Sequence, residues 1–246
     1  MIEHDNRKIG EWTAAWLDTE GIPHTYLVRC DSTSRLAKDS AQTDPPVIVY
    51  ITEDQEAGRG RGSKTWTSPA KGTALLATWS LEVDITPQHL TAPQIGLALF
   101  ESVKAIWPSF NWSIKPPNDL YLGSNKVAGL LIETFPITNK HRLLVGLGFN
   151  VFASPAAIPE ATFLEGPYGS DGVKISQTDW HEFLERWQLE LQNVLTQLGD
   201  GELDAGRSQR LLAALKSHPI LGEKTVAVES SGNIVYQDQT VNWQDL

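Results

Sequence analysis

A single cysteine, Cys30, and a single methionine stand in a chain of 246 residues. One thiol excludes an internal disulfide and any cysteine-built zinc cage. It leaves Cys30 to be read as a small buried hydrophobe beside a ligand loop. Long apolar runs are missing too: stretches such as Gly96–Phe100 and Leu143–Leu147 are far too short to cross a bilayer. The first ten residues mix charges with no apolar segment behind them, so no signal peptide is expected. The six histidines (His4, His24, His89, His141, His181, His218) show no metal-ligand spacing. Cations are scarce: 20 Lys+Arg against 30 Asp+Glu give a formal net charge of -10. Such a chain is repelled by nucleic-acid phosphates unless a local basic patch overrides its average. These absences lead to the expectation of a cytoplasmic globular protein with no membrane segment. What is present agrees, since 41% hydrophobic residues and a mean hydropathy of -0.24 suit one sizeable core.

Periodicity divides the chain into helices and strands. Ile9, Trp12, Trp16 and Leu17 predict an amphipathic helix over Arg7–Asp18, ended by Gly21-Ile22-Pro23. His24–Arg29 reads as a strand, and Asp31 or Ser32 can cap a short helix to about Ala41. Val47–Thr52 is β-branched and short, a buried strand. Glu53–Gly72 follows as a long glycine-rich loop without periodicity, the kind of segment that carries function. Its acids Glu53, Asp54 and Glu56 read as solvated charge. Thr73–Val83 is a strand, Thr86-Pro87 a helix start, and Leu90–Trp107 a long helix with Pro93 in its first turn. Strands at Trp112–Ile114, Leu120–Leu122, Val127–Thr134 and Arg142–Val151 precede helices at Asp179–Leu198 and Ala205–Lys216, and Lys224–Leu246 reads as a hairpin. Trp12, Trp16, Trp180 and Trp187 fall at helix-face spacing and read as core. The order indicates an α+β fold rather than a parallel βαβ array.

Two places reverse the acidic balance, Arg59–Lys64 and Lys115–Lys126. In Gly58-Arg59-Gly60-Arg61-Gly62-Ser63-Lys64, glycines allow close backbone approach and the cations offer charge-assisted hydrogen bonds to phosphate or carboxylate. Such a loop is expected to be mobile when empty and to order around an anion. A P-loop is not expected, because Ser63 occupies its second glycine position and Trp66-Thr67-Ser68-Pro69 is a poor helix start. A dinucleotide fingerprint fails for the same reasons. One short Arg-Gly copy without interleaved aromatics is a weak RNA signal. In Lys115-Pro116-Pro117-Asn118-Asp119, two prolines stiffen the approach to a polar pair. There Asp119 can hold a metal or orient an ammonium, and Asn118 can bond a ligand or a turn. Lys126 opens an apolar strand, where its ammonium can neutralise a phosphate. Gly146-Leu147-Gly148-Phe149-Asn150 puts glycines inside a strand, a mark of close approach by ligand or backbone.

Taken in order, Asp31-Ser32-Thr33-Ser34, Gln55 to Trp66-x-Ser68-Pro69, Lys115–Tyr121, Lys126–Gly129 and Gly146–Asn150 resemble the biotin–protein ligases over Tyr26–Val151. The resemblance implies a class II synthetase-like mixed sheet flanked by helices. It implies a catalytic domain over 1–220 and a short β-rich segment over 221–246. It implies formation of biotinyl-5′-AMP from biotin and ATP with Mg²⁺, then transfer of biotin to a lysine of a biotin carboxyl carrier protein. By position, Ser32, Thr33, Ser34 and Gln55 belong to the biotin side, with Arg59, Gly60, Arg61, Lys126 and Gly129. Arg59, Arg61, Trp66, Asn118, Asp119, Lys126 and Asn150 belong to the ATP side, with Asp119 as the metal candidate. Arg61, Lys126 and Asp119 are the catalytic candidates. The chain departs from the family pattern at the Gly62-Ser63-Lys64-Thr65 loop end, at Pro116 in place of tryptophan, at Ser34 in place of asparagine, and in a short tail after Leu221. The thirty residues before Asp31 are too few for the winged helix-turn-helix of repressor-type ligases, so no DNA binding is expected. A homodimer is compatible with the family. Lipoate or octanoyl transfer on the same fold, and retention of biotinyl-AMP without transfer, are the alternatives.

Overall fold

The computed structural model describes residues 7–166 and 174–246; His4 and most of the first ten residues lie outside them. Seven strands make one mixed sheet: β1 (His24–Leu27), β2 (Val47–Thr52), β3 (Ala74–Val83), β4 (Trp112–Lys115), β5 (Asp119–Leu122), β6 (Asn125–Ile137) and β7 (Lys140–Asn150). Their spatial order is β1-β2-β3-β7-β6-β5-β4. Only β1 and β2 run parallel, joined through a crossover by α2 (Thr33–Ser40); the other pairs are antiparallel. A second sheet of three strands, β8 (Thr225–Val228), β9 (Ile234–Tyr236) and β10 (Gln239–Val241), follows the last helix. This is the expected α+β arrangement, with one strand more in the tail than the hairpin read from sequence.

The two faces of the large sheet differ in kind. Leu75, Ala77, Trp79 and Leu81 of β3, Val145, Leu147 and Phe149 of β7, and Ala128 and Leu130 of β6 point into the main core. There they meet α1 (Ile9–Thr19), α3 (Thr91–Ile106) and α4 (Gln177–Leu195). Helix α4 contributes Trp180, Phe183, Leu184, Trp187 and Leu191, a helical stripe that is completely buried. Truncating such a tryptophan costs about 3–5 kcal/mol. The opposite face alternates small or polar residues, Thr78 and Ser80, Gly146 and Gly148, and Gly129, with a few leucines, Leu76, Leu131 and Leu144. Only α2 covers part of that face, through a small cluster of Ala37, Tyr50 and Leu144. The rest of it is where a ligand can lie.

Local differences from the sequence reading have physical causes. Helix α3 starts at Thr91 rather than at Thr86-Pro87, and Pro93 sits within its first turn, where the missing N–H costs nothing. Helix α4 starts at Gln177 because Ser176 and Asp179 form a reciprocal capping box. Cys30 is half-buried rather than buried, and its amide donates to Asp54 O. Trp16, Trp180 and Trp187 are core as read, while Trp12 is only partly buried against it.

Glu53 is not solvated charge: it is 2% exposed. Lys8 at the N-cap of α1 supplies no side-chain cap. Glu53 Oε1 caps from outside the helix instead, accepting from the Glu11 amide at 3.1 Å and from Tyr26 Oη at 2.6 Å. Gly10 is a consequence, since a Cβ there would lie 2.6 Å from Glu53 Oε1. Burial raises the Glu53 carboxyl above the usual range, with Lys8 opposing in part. The native state therefore favours the proton, so this contribution to stability is complete in acid and is lost as pH rises through the native value. Glu53→Gln keeps the accepting oxygen and removes the charge. Its melting temperature relative to wild type rises between about pH 4 and about pH 8; a difference independent of pH contradicts the buried ionisation.

Candidate functional site

A cavity of about 590 Å³ opens on the sparsely covered face of the sheet. Its inner end is neutral and polar. Ser32, Thr33 and Ser34, at 2%, 4% and 4% exposure, line it at the start of α2. Ser32 Oγ lies 3.0 Å from Ser34 Oγ, so Ser32 holds its neighbour rather than capping the helix. Gln55 Oε1 accepts from the Thr33 amide at 2.9 Å, and Thr33 Oγ1 lies 2.9 Å from Thr78 Oγ1. Three hydroxyls and a carboxamide fixed in this way can meet both donors and acceptors of an uncharged ligand ring.

The outer part is charged. Arg59, Arg61, Lys64, Lys115 and Lys126 line the cavity, and Asp119 is the only acidic side chain among its lining residues. Five cations against one acid, in a protein of net charge -10, concentrate positive potential at one place. Lys126 is the most constrained. A register shift between Leu120 and Tyr121 bulges β6 at Lys126-Val127, which re-aims the side chain. Its backbone is clamped from outside the sheet: the Lys126 amide donates to Glu160 O, and the Thr162 amide donates to Lys126 O at 2.8 Å. Its Nζ lies 2.7 Å from Asp119 Oδ1, an ion pair that fixes the ammonium at the cavity wall. Asn118 is bonded to the backbone of β6, donating through Nδ2 to Leu130 O at 2.5 Å.

The segment Gly58–Trp66 is a small hairpin, not an irregular loop. Arg59 bridges Thr65, the Gly60 amide donates to Lys64 O and the Trp66 amide to Gly58 O, and Gly62 takes φ +64° at the tip. Arg59 forms a two-pronged ion pair with Glu133, both contacts 2.8 Å. Trp66 then lies flat on the sheet over Gly129 and Gly148, which face each other in register. A Cβ on Gly148 would come 2.5 Å from Trp66 Cε2, and one on Gly129 3.3 Å from Cζ3. Lys126 Nζ stands 5.8 Å from the centre of a Trp66 ring.

Of the residues picked out in the sequence, the structure brings Ser32, Thr33, Ser34, Gln55, Arg59, Gly60, Arg61, Trp66, Asn118, Asp119, Lys126 and Gly129 to this one cavity. Asn150 is not among its lining. Asn150 is 2% exposed and donates to Thr162 O, so it meets the site only through the segment that clamps Lys126. No group of three His, Cys, Asp or Glu among the described residues forms a metal cage. Asp119, the metal candidate of the sequence, pairs with Lys126 in the ligand-free site. Reasoning from sequence missed Thr78, whose signal was a hydroxyl in the apolar run of β3; Lys115, read as the start of the second basic patch but given no role, lines the cavity too. Leu246, which carried no signal, was also missed.

Fold and site together give a mixed sheet with a cation-lined cavity on one face, roofed in part by a hairpin whose Trp66 rests on a glycine floor. Residues 26–150 match the biotin/lipoate A/B protein ligase family, and the chain belongs to that family. It is 31% identical over 183 residues to the biotin–[acetyl-CoA-carboxylase] ligase of Paracoccus denitrificans, covering 67% of this chain and 72% of that one. It is 29% identical over 156 residues to the ligase of the same name from Mycobacterium tuberculosis, covering 61% of this chain but only 56% of the relative. In fold it is similar to the biotin protein ligase of Aquifex aeolicus solved with biotin and ATP, with a TM-score of 0.67 at 20% identity over 91% of this chain and 97% of that one.

The seat of Trp66 is testable without any ligand. Gly148→Ala unseats the ring and frees the hairpin, so trypsin cuts at Arg59, Arg61 or Lys64 roughly tenfold faster, equivalent to about 1.4 kcal/mol of lost protection. Unchanged cleavage in a folded variant contradicts the packing.

Proposed function

We propose that this chain is an ATP-dependent biotin–protein ligase, and the observation that carries this reading is the division of one cavity into a neutral hydroxyl–amide end and a five-cation mouth. The neutral end suits the ureido ring of biotin, and the mouth suits a carboxylate meeting a triphosphate. Activation joins two anions: a biotin carboxylate oxygen bonds to the α-phosphorus of ATP and pyrophosphate leaves. Arg61 and Lys126 lower the repulsion, and their value is greatest where charge builds up in the transition state. Magnesium enters with ATP as part of the substrate.

In this reading the Asp119–Lys126 pair holds Lys126 ready in the empty site, and Lys126 turns to the acyl phosphate when the anions arrive. Asp119 is then free to orient the incoming lysine ammonium of the carrier. Asn118 stands on the nucleotide side, and Trp66 forms a wall between biotin and nucleotide. The catalytic unit is residues 1–220, with 221–246 as a reduced β-rich appendage, and the acceptor is a biotin carboxyl carrier protein of the cytoplasm. Two named biotin ligases among the relatives support the choice of biotin over lipoate. So do Ser32, Thr33 and Gln55, which would lack partners on a lipoyl ring.

Incubation with biotin, Mg·ATP and a carrier domain adds the mass of one biotin to the carrier. Lys126→Ala or Arg61→Ala lowers the rate by on the order of a hundredfold, as expected for removing one preorganised donor from a developing charge. Transfer of lipoate in preference to biotin, or no biotin-dependent AMP at all, contradicts the reading.

A further inference from the structure

The last turn of the chain reaches into the site from a sheet that has its own foundations. Strand β8 packs on α5 (Ala205–Lys216), and the Leu203 amide donates to Ser230 O. Gly232 sits so close to Leu90, at the start of α3, that a Cβ there would lie 2.4 Å from Leu90 Cδ2. His89 Nε2 lies 3.1 Å from Ser231 O. The small sheet is therefore fixed to the body away from the cavity. From it, Asn242 caps a single 3₁₀ turn, Trp243–Asp245, its side chain accepting from the Gln244 amide at 2.9 Å.

That turn touches both walls of the cavity. Trp243 is 3% exposed, and its Nε1 donates to Pro117 O at 2.8 Å, in the stiff segment that carries Asn118 and Asp119. Gln244 O accepts from Arg61 Nη1 at 3.0 Å, on the hairpin. Leu246 lines the cavity itself. Gln244 also lines an adjoining cavity of about 180 Å³ that shares Arg61 and Asn118 with the main one. Arg61 is otherwise exposed, and this carbonyl is the one hydrogen-bond partner of its side chain among the described residues.

We infer that Trp243–Leu246 is the closing wall of the site, with Trp243 a positioning residue: it fixes the turn whose carbonyl holds Arg61 and whose Leu246 side chain helps keep water from the activated acyl group. The inference rests on the ligase reading and deepens it. In the productive step a lysine amine attacks the acyl carbon, the acyl–oxygen bond to phosphate breaks, AMP leaves and the amine gives up a proton. In the wasteful step water attacks the same carbon, and AMP leaves with free biotin. A firm wall favours the first by excluding the second.

The test counts AMP released per biotin attached to a carrier domain, at saturating biotin and Mg·ATP, with the full chain. Trp243→Phe keeps an aromatic ring and removes the N–H that reaches Pro117. Asn242→Ala uncaps the turn from an exposed position outside the cavity. Both variants raise the ratio roughly fivefold, equivalent to about 1 kcal/mol and near the worth of one hydrogen bond, while biotin affinity stays at the wild-type value. A ratio unchanged in both, even with a slower overall rate, overturns the inference and leaves the turn a structural prop. Wild-type protein that makes no biotin-dependent AMP would fail earlier, and would remove the ligase reading rather than the wall.

Discussion

Trp66 can lie on the sheet only because Gly129 and Gly148, opposite each other in β6 and β7, carry no side chains. Most of the site follows from this contact. The ring pins the C-terminal end of the hairpin, the Trp66 amide closes the hairpin on Gly58 O, and the Arg59–Glu133 pair holds the other strand to β6. Three cations of the hairpin are thereby brought to the face of the sheet from which Lys126 projects. The opposite face is filled by the buried stripes of α1, α3 and α4, so the small residues can be spared for a ligand on one side without emptying the core on the other.

Charge then decides what the cavity can hold. An acidic protein gathers five cations around one cavity, with Asp119 the only acidic side chain in its lining. Cations crowded in this way repel one another, and two ion pairs offset part of the cost before any ligand arrives, Asp119 with Lys126 and Glu133 with Arg59. Each pair is partly exposed, so its direct worth is small, about 1 kcal/mol or less. Their larger effect is positional, since each holds a flexible side chain near where an anion needs it.

Much of this was legible in the sequence, for reasons that differ by residue. The strands β2, β3 and β7 announce themselves because β-branched and apolar runs have few other homes, and Gly146 and Gly148 stand out as glycines that a strand would otherwise avoid. Glu53 was not legible as a buried cap: its role depends on Gly10 and Tyr26, far from it in sequence, and a loop acid is ordinarily solvated. Helix α3 was legible to within a residue at each end, although Thr86-Pro87 imitates a helix start that the chain does not use. Asn150 was placed on the nucleotide side by the resemblance alone; its partner, Thr162 O, belongs to a segment with no pattern of its own. Nothing in the tail indicated that Trp243, Gln244 and Leu246 return to the cavity, because such contacts are set by how two sheets pack rather than by local periodicity.

The central claim is that one cavity holds biotin's ring at its hydroxyl–amide end and the reacting anions among its cations. A crystal structure with a hydrolysis-resistant analogue of biotinyl-AMP tests this most directly. The account predicts the ureido group hydrogen-bonded to Ser32, Thr33 or Gln55, and Lys126 Nζ moved from Asp119 to the acyl-phosphate linkage with Arg61 beside it. An analogue bound elsewhere, or bound here with Lys126 still paired to Asp119 and no cation on the linkage, would contradict it.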